Sequence, residues 1–153
     1  MGKIARRLAE LGIEIKEPVA PVANYVPYVK SGALLYISGQ VSMTPAGLIK
    51  GKLGADLSVE QGGEAAKACA INLIAQMKAA LDGDLDRVKR IVKLVGFVNS
   101  TPEFEGHPKV VNGASDLMVA VFGEAGRHAR AAVGAPSLPL GAAVEVDAVV
   151  EVS

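Results

Sequence analysis

The stretch Arg127-His128-Ala129-Arg130-Ala131-Ala132-Val133-Gly134-Ala135-Pro136-Ser137-Leu138-Pro139-Leu140-Gly141, running into Ala142-Ala143-Val144-Glu145-Val146-Asp147-Ala148-Val149-Val150, leaves few folding options. Pro136, Pro139 and Gly141 cannot sit inside a paired strand, whereas both flanks are small and β-branched. The block therefore predicts two strands around a punctuated connection. Arg130 interrupts a small, apolar run, where a guanidinium gives up its hydration only if an anion or a carbonyl faces it. Alternation puts it on one strand face with His128 and Ala132, and the short Ala132 leaves open space beside it. Glu145 stands in the middle of the last strand between two valines. A charged planar fork and an isolated carboxylate are the parts of a pocket for a small carboxylic acid with an acid/base nearby. They are equally the two halves of an ordinary ion pair, and the local pattern leaves both readings open. Asp147, on the strand face of Glu145, reads as a solvated side chain.

The remainder of the chain supplies helices to cover such strands. Ile4, Leu8 and Leu11 recur at helical spacing and Gly12 stops the turn, which predicts a short surface helix. Beyond Pro18 and Pro21, the runs 24–30 and 33–40 flank Ser31-Gly32 as a hairpin, and Pro27 confines the first run to an edge or irregular strand. Thr44-Pro45-Ala46-Gly47 is a turn followed by a brief strand. Ser58-Val59-Glu60-Gln61 fits a capping box. The long helix after it carries Ala66, Cys69, Ala70, Leu73, Met77, Ala80 and Leu81 on one stripe and stops at Gly83. Gly62 and Gly63 weaken its first turn by roughly 1 kcal/mol each relative to Ala, without a reason visible in the sequence.

Asp84 to Arg87 reads as a turn or short helical start. Ile91 to Asn99 reads as a strand apolar on both faces, central in a sheet covered by helices. A polar loop from Ser100 to Pro108 precedes a second helix over 108–122, with Val111, Leu117, Met118, Val121 and Phe122 turned to the sheet. The expected architecture is α+β: one sheet with two main helices packed on one side, in a single domain over 1–153, of which 1–21 is an N-terminal extension.

Charge excludes some functions. Lys plus Arg and Asp plus Glu number 16 each, so no net field steers the chain to nucleic acid or acidic membranes. The one basic cluster, Arg87, Lys89, Arg90 and Lys93, lies beside Asp82, Asp84 and Asp86 without interleaved aromatics, unlike a nucleic-acid surface. No uncharged apolar run approaches the length of a membrane span, and the N-terminus lacks the apolar core of a signal peptide. The single cysteine, Cys69, excludes a disulfide framework within one chain, so the expectation is a cytoplasmic protein. Half the residues are apolar and few are aromatic, which suits close small-residue packing and self-association.

Other side chains add weaker signals. Tyr25 offers a hydroxyl on a rigid body, though a strand tyrosine commonly just packs with a wet tip. Ser38-Gly39-Gln40 combines a hydroxyl with a glycine that lets a ligand approach the backbone. Asn112, near the start of the second helix, either binds a ligand or bonds the backbone. Cys69 falls on an apolar stripe and reads as inert core. His107 and His128 have no companions at metal-ligand spacing, no nucleophile elbow is present, and no Gly-Lys-Ser/Thr follows the glycine-rich segments.

Taken together, Tyr25, Ser38-Gly39-Gln40, Asn112, Arg130 followed after seven intervening residues by Leu138-Pro139, and the Val-Glu-Val-Asp-Ala strand around Glu145 resemble the Rid family, also called YjgF or enamine/imine deaminases, over about residues 22–152. The resemblance implies a chorismate-mutase-like fold with one mixed sheet, assembled as a homotrimer with clefts between subunits. It implies hydrolysis of 2-aminoacrylate-type enamines and imines to a 2-oxo acid and ammonia, without metal or organic cofactor. By position, Arg130 matches the arginine that grips the substrate carboxylate and Glu145 the carboxylate that positions water. Tyr25, Ser38, Gly39 and Asn112 match pocket positions, as does Ala132, where many members carry Cys. A non-catalytic module that binds small carboxylates in the same cleft is the alternative. RNA association through the Arg87–Lys93 cluster, after ribonuclease activity attributed to relatives, is a third.

Overall fold

The computed structural model describes residues 1–21 and 23–153. Five strands form one mixed sheet: β1 (Tyr28–Ser31), β2 (Leu34–Val41), β5 (Val88–Asn99), β6 (Ala129–Ala135) and β7 (Val144–Val152), in the order β1-β2-β7-β5-β6. Only the β5–β6 pair is parallel. A separate small hairpin, β3 (Met43–Thr44) with β4 (Gly47–Leu48), turns over Pro45-Ala46. α2 (Val59–Ala80) and α3 (His107–Phe122) lie against one face of the sheet, and α1 (Lys3–Glu10) packs at their edge. This is the α+β arrangement expected, with both main helices on one side.

Alternation decides what each strand buries. On β7, Val144, Val146, Ala148, Val150 and Val152 enter the core beside Leu35 and Ile37 of β2 and Ile91, Leu94 and Val98 of β5. Glu145, Asp147 and Val149 therefore point to the other face. β5 is interior, as its apolar character suggested, but helices cover it on one side only. Val95 and Phe97, expected beneath a helix, stand half-buried on the uncovered side with Val133 and Tyr36. The first strand also differs from its sequence reading. It starts at Tyr28, after Pro27, so Tyr25 belongs to the bent segment before it.

The capping box forms as read: the Ser58 hydroxyl accepts from the Gln61 amide at 3.1 Å while Gln61 Oε1 accepts from the Ser58 amide at 2.8 Å. The glycine pair in that first turn now has a cause. A Cβ on Gly62 would press on Leu53 and Val110, and a Cβ on Gly113 of α3 would collide with the Gly63 carbonyl. α2 and α3 thus touch backbone to backbone, and the helix propensity lost at the glycines is offset by that packing.

α1 is fastened by Asp86, whose carboxylate accepts from the Lys3 and Ile4 amides, each at 2.9 Å, while Arg7 donates to the Ala120 carbonyl of α3. These bonds, the Ile4 amide foremost, hold the Asp86 carboxyl below its ordinary value.

Two outcomes follow from this packing. Gly113→Val should destabilise the fold by about 3 kcal/mol in denaturant titration, since neither backbone can retreat from the added methyls. Because Asp86 has a lowered pKa in the fold, its contribution is present above the unfolded-state value and lost as pH falls through the folded one. The protection factors of the Lys3 and Ile4 amides, taken relative to intrinsic exchange at each pH, should accordingly fall on acidification, and Asp86→Asn should show that reduced protection already at neutral pH.

Candidate functional site

The residues singled out in the sequence fall into two groups within one protomer. The first is built on β6 and α3. Arg130 pairs in register with core-facing Leu94, so its side chain lies on the helix side of the sheet. There its Nη1 donates to Asn112 Oδ1 at 2.8 Å and Ser115 Oγ at 3.2 Å. Ser115 also meets His128 Nε2 at 2.9 Å, and the other nitrogen of that ring, Nδ1, lies 2.6 Å from the Gly126 carbonyl. His128 is thereby a brace. Ala132, one alternation further on, stands opposite Gly96, where a Cβ would strike Val111 of α3. The β5 backbone and α3 approach tightly here, and the short Ala132 adds little bulk beside the guanidinium.

The second group surrounds Glu145. A Cβ on Gly39 would lie 2.5 Å from Glu145 Oε1, so glycine is what lets the carboxylate reach across β2. The register of β2 against β7 slips between Ile37 and Gln40, a bulge that turns out Ser38-Gly39. Ser38 is occupied locally: its amide donates to the Pro27 carbonyl and its hydroxyl to the Val26 carbonyl, both at 2.9 Å. These bonds hold the 23–27 bend, and with it the exposed Tyr25, against the bulge. Tyr25, Gly39 and Glu145 line one cleft of about 120 Å³, completed by Val19, Pro139 and Leu140, the last held at φ +62°.

The two groups do not meet in one protomer. Arg130 faces the helices and Glu145 faces away from them, and among the described residues no carboxylate lies within ion-pairing distance of Arg130. The alternative of mutual neutralisation is therefore not realised. Only Nη1 of the guanidinium is engaged among the described residues, which leaves Nε and Nη2 available to an incoming anion.

Burial pushes Glu145 above the ordinary glutamate value, and the Asp147 carboxylate adds to it. Asp147 is itself raised by burial, partly countered by Lys93. It is half-buried on the sheet, not the solvated residue its sequence position suggested. Cys69 is fully buried, its thiol donates to the Val144 carbonyl at 3.3 Å, and burial pushes its pKa well up, so it stays a neutral core thiol. His107 pairs with Ser100 at 3.1 Å, and among the described residues no three His, Cys, Asp or Glu side chains cluster at metal-binding distance. In the basic cluster, Arg87 is committed through Nε and Nη2 to the Ser153 carbonyl. No helix among the described residues is long and apolar enough to cross a membrane.

Sequence reasoning missed Ser115, Leu140 and Val19, the last in the extended segment that follows α1. Ser115 lies one helical turn from Asn112, a spacing that would have paired them on one face of α3. Leu140 carried a signal in its Pro139-Gly141 neighbours, whereas Val19 carried none.

The family model described as "YjgF/chorismate_mutase-like, putative endoribonuclease" matches residues 5–152. Protein TCP17 of Trypanosoma cruzi is 55% identical over 154 residues, covering 99% of this chain and 96% of that protein. The crystal structure of Atu1372 from Agrobacterium tumefaciens, described as of unknown function, superposes with a TM-score of 0.90 at 52% identity, covering 98% of this chain and 92% of that one. RidA from an Antarctic Psychrobacter is more distant, with a TM-score of 0.59 at 28% identity over 91% of this chain and 96% of its own. With a family match over residues 5–152 and a relative 55% identical over nearly its whole length, this chain belongs to the YjgF (Rid) family.

Proposed function

We propose that the chain hydrolyses reactive enamines and imines of the 2-aminoacrylate type to 2-oxo acids and ammonia, in clefts completed by a second copy within a homotrimer. The observation that carries this reading is the division of the site: a half-free guanidinium on one side of the sheet and a raised-pKa carboxylate in a small cleft on the other. Each half is chemically unfinished, and a neighbouring copy that set its Arg130 opposite Glu145 would join them. The uncovered apolar side chains Tyr36, Val95, Phe97 and Val133 supply a surface for that contact.

In the joined site, the Arg130 fork takes the substrate carboxylate in two parallel hydrogen bonds, with Asn112 and Ser115 fixing the guanidinium plane. The imine carbon then faces Glu145. The ionised carboxylate accepts a proton from water as the oxygen bonds to that carbon. Returning the proton to nitrogen completes a tetrahedral amino alcohol, and the carboxylate then passes the new hydroxyl's proton to nitrogen as the C–N bond breaks and the C=O bond forms, releasing ammonia and leaving the 2-oxo acid. No atom changes oxidation state in a way that needs an external electron carrier. Burial suits Glu145 to the task, because a base with a raised pKa accepts a proton more readily.

With 2-aminoacrylate generated in situ, the wild type should accelerate imine decay. Arg130→Ala should lose about 100-fold in kcat/KM by removing hydrogen bonds to a charged group, and Glu145→Gln about 10²- to 10⁴-fold. No acceleration, equal acceleration by Arg130→Ala, or a stable monomer in light scattering would overturn the proposal. Calorimetric binding of a 2-oxo acid without turnover would favour the non-catalytic carboxylate-binding module instead. The pH profile gives an independent check. Activity should fall on acidification as Glu145 protonates, with a midpoint above the ordinary glutamate value, and Asp147→Asn should move that limb to lower pH by removing a neighbouring negative charge.

A further inference from the structure

α2 carries a second stripe besides the one that faces the sheet. Ala68, Ile71, Asn72 and Ala75 share a helical face and form the floor of a groove of about 650 Å³, roofed by the segment from Leu11 to Val19 and closed at one end by Met43 and Pro45. That volume lies within the range of small-molecule sites, whereas the Glu145 cleft, at about 120 Å³, holds little beyond the reacting atoms. The two spaces share Val19, Met43 and Asn72 as lining.

The groove's polar groups are largely committed elsewhere. The Asn72 amide nitrogen donates to the Val41 and Met43 carbonyls at 3.1 and 3.0 Å, and Lys16 pairs with Glu14 at 2.8 Å. The lining is mostly apolar, with Leu11, Ile13, Ile71 and two alanines, Ala68 and Ala75, whose small size leaves the floor unfilled, while the exposed side chains of Glu17 and Lys67 complete it. The roof is fixed in place: Gln76, 1% exposed, donates to the Val19 carbonyl at 3.0 Å and lies 3.4 Å from Gln40 Oε1, and Gln40 donates to the Ser38 carbonyl of the bulge. Met43, unbranched and polarisable, stands at the junction and adapts to occupants of different shape.

We propose that this groove receives the substrate's side chain, so that the chain acts on 2-imino acids with apolar side chains of three or more carbons in preference to the methyl-sized member. The inference rests on the function proposed above. The reacting carbon of a 2-imino acid is trigonal and bears a carboxylate, a nitrogen and a side chain. With the carboxylate on the partner copy's arginine and the carbon at Glu145, the side chain is the substituent left to extend past Val19 and Met43. The groove beyond them is apolar and matches it.

The test uses imines made in situ by an amino-acid oxidase from alanine, norvaline, norleucine and phenylalanine, with decay followed by trapping. For the full chain, kcat/KM should rise about three- to fourfold per added methylene from alanine to norleucine. Ala68→Phe, which fills the groove, should abolish the rise, so that the longer imines are hydrolysed no faster than the alanine-derived one. Ile71→Ser, on a partly exposed position, should flatten the slope and serves if Ala68→Phe does not fold. A flat profile for the wild type, with the smallest imine still hydrolysed, overturns the groove assignment and leaves the deaminase reading intact. If no imine is hydrolysed, that reading fails, and calorimetry with the matching 2-oxo acids decides the groove alone. Affinity rising with length and lost in Ala68→Phe supports it, whereas affinity independent of length overturns it.

Discussion

Helices cover one face of this sheet and leave the other bare, and most of what the protein can do follows from that constraint. A strand side chain has two choices, core side or open side, and residues an even number apart must choose alike. Glu145 and Asp147 go to the open face because Val144, Val146 and Ala148 are needed against α2 and α3. Arg130 goes to the helix side because parallel pairing sets it level with Leu94. No rotamer brings these charges together through a sheet. An arginine and a glutamate that look like an ion pair in the sequence are held apart by the same alternation that makes the core.

The elements with strong local signals were legible before any coordinates. Ser58 and Gln61 announced the start of α2, Gly12 and Gly83 marked two helix ends, and Pro136, Pro139 and Gly141 separated the last two strands. Arg130 and Glu145 stood out because charge inside a β-branched run is chemically unexpected. What was not legible depended on contacts distant in sequence. Nothing local distinguishes Gly63 and Gly113 as a helix contact, since the reason for each is the other's backbone. Tyr25 looked like a strand residue because Tyr-Val recurs at 28–29, yet Pro27 removes a ladder donor and the strand starts beyond it. Asp147 looked solvated because alternation says which face a residue occupies, not how crowded that face is.

Glu145 shows how site and fold pull against one another. Its folded-state pKa is raised, so the ionised form that the proposed hydrolysis would use is less stable in the fold than in the unfolded chain. That contribution to stability is complete below the unfolded value and is lost as pH rises through the folded one, so near neutrality the carboxylate is a net cost. The fold keeps it by making the space local and specific: Gly39 gives up a side chain to admit it, and the β2 bulge opens the sheet beside it. Both features weaken strand pairing, and neither contributes to the core.

The N-terminal strap gives α2 a second partner. A helix packed only against a sheet needs one apolar stripe, yet α2 also places Ala68 and Ala75, nearly inaccessible, beneath the strap on a different face. Were the strap only a cover, larger side chains at those two positions would bury more apolar area and bind it more tightly. Alanine leaves a hollow instead, and the strap is pinned over it through the Gln76–Val19 bond and not by close packing. Gln40 carries the same connection to the Ser38 carbonyl, so the position of the strap and the shape of the bulge beside Glu145 are set together. A segment that is hydrogen-bonded over α2 while leaving the space beneath itself open has the arrangement that the proposed side-chain groove requires.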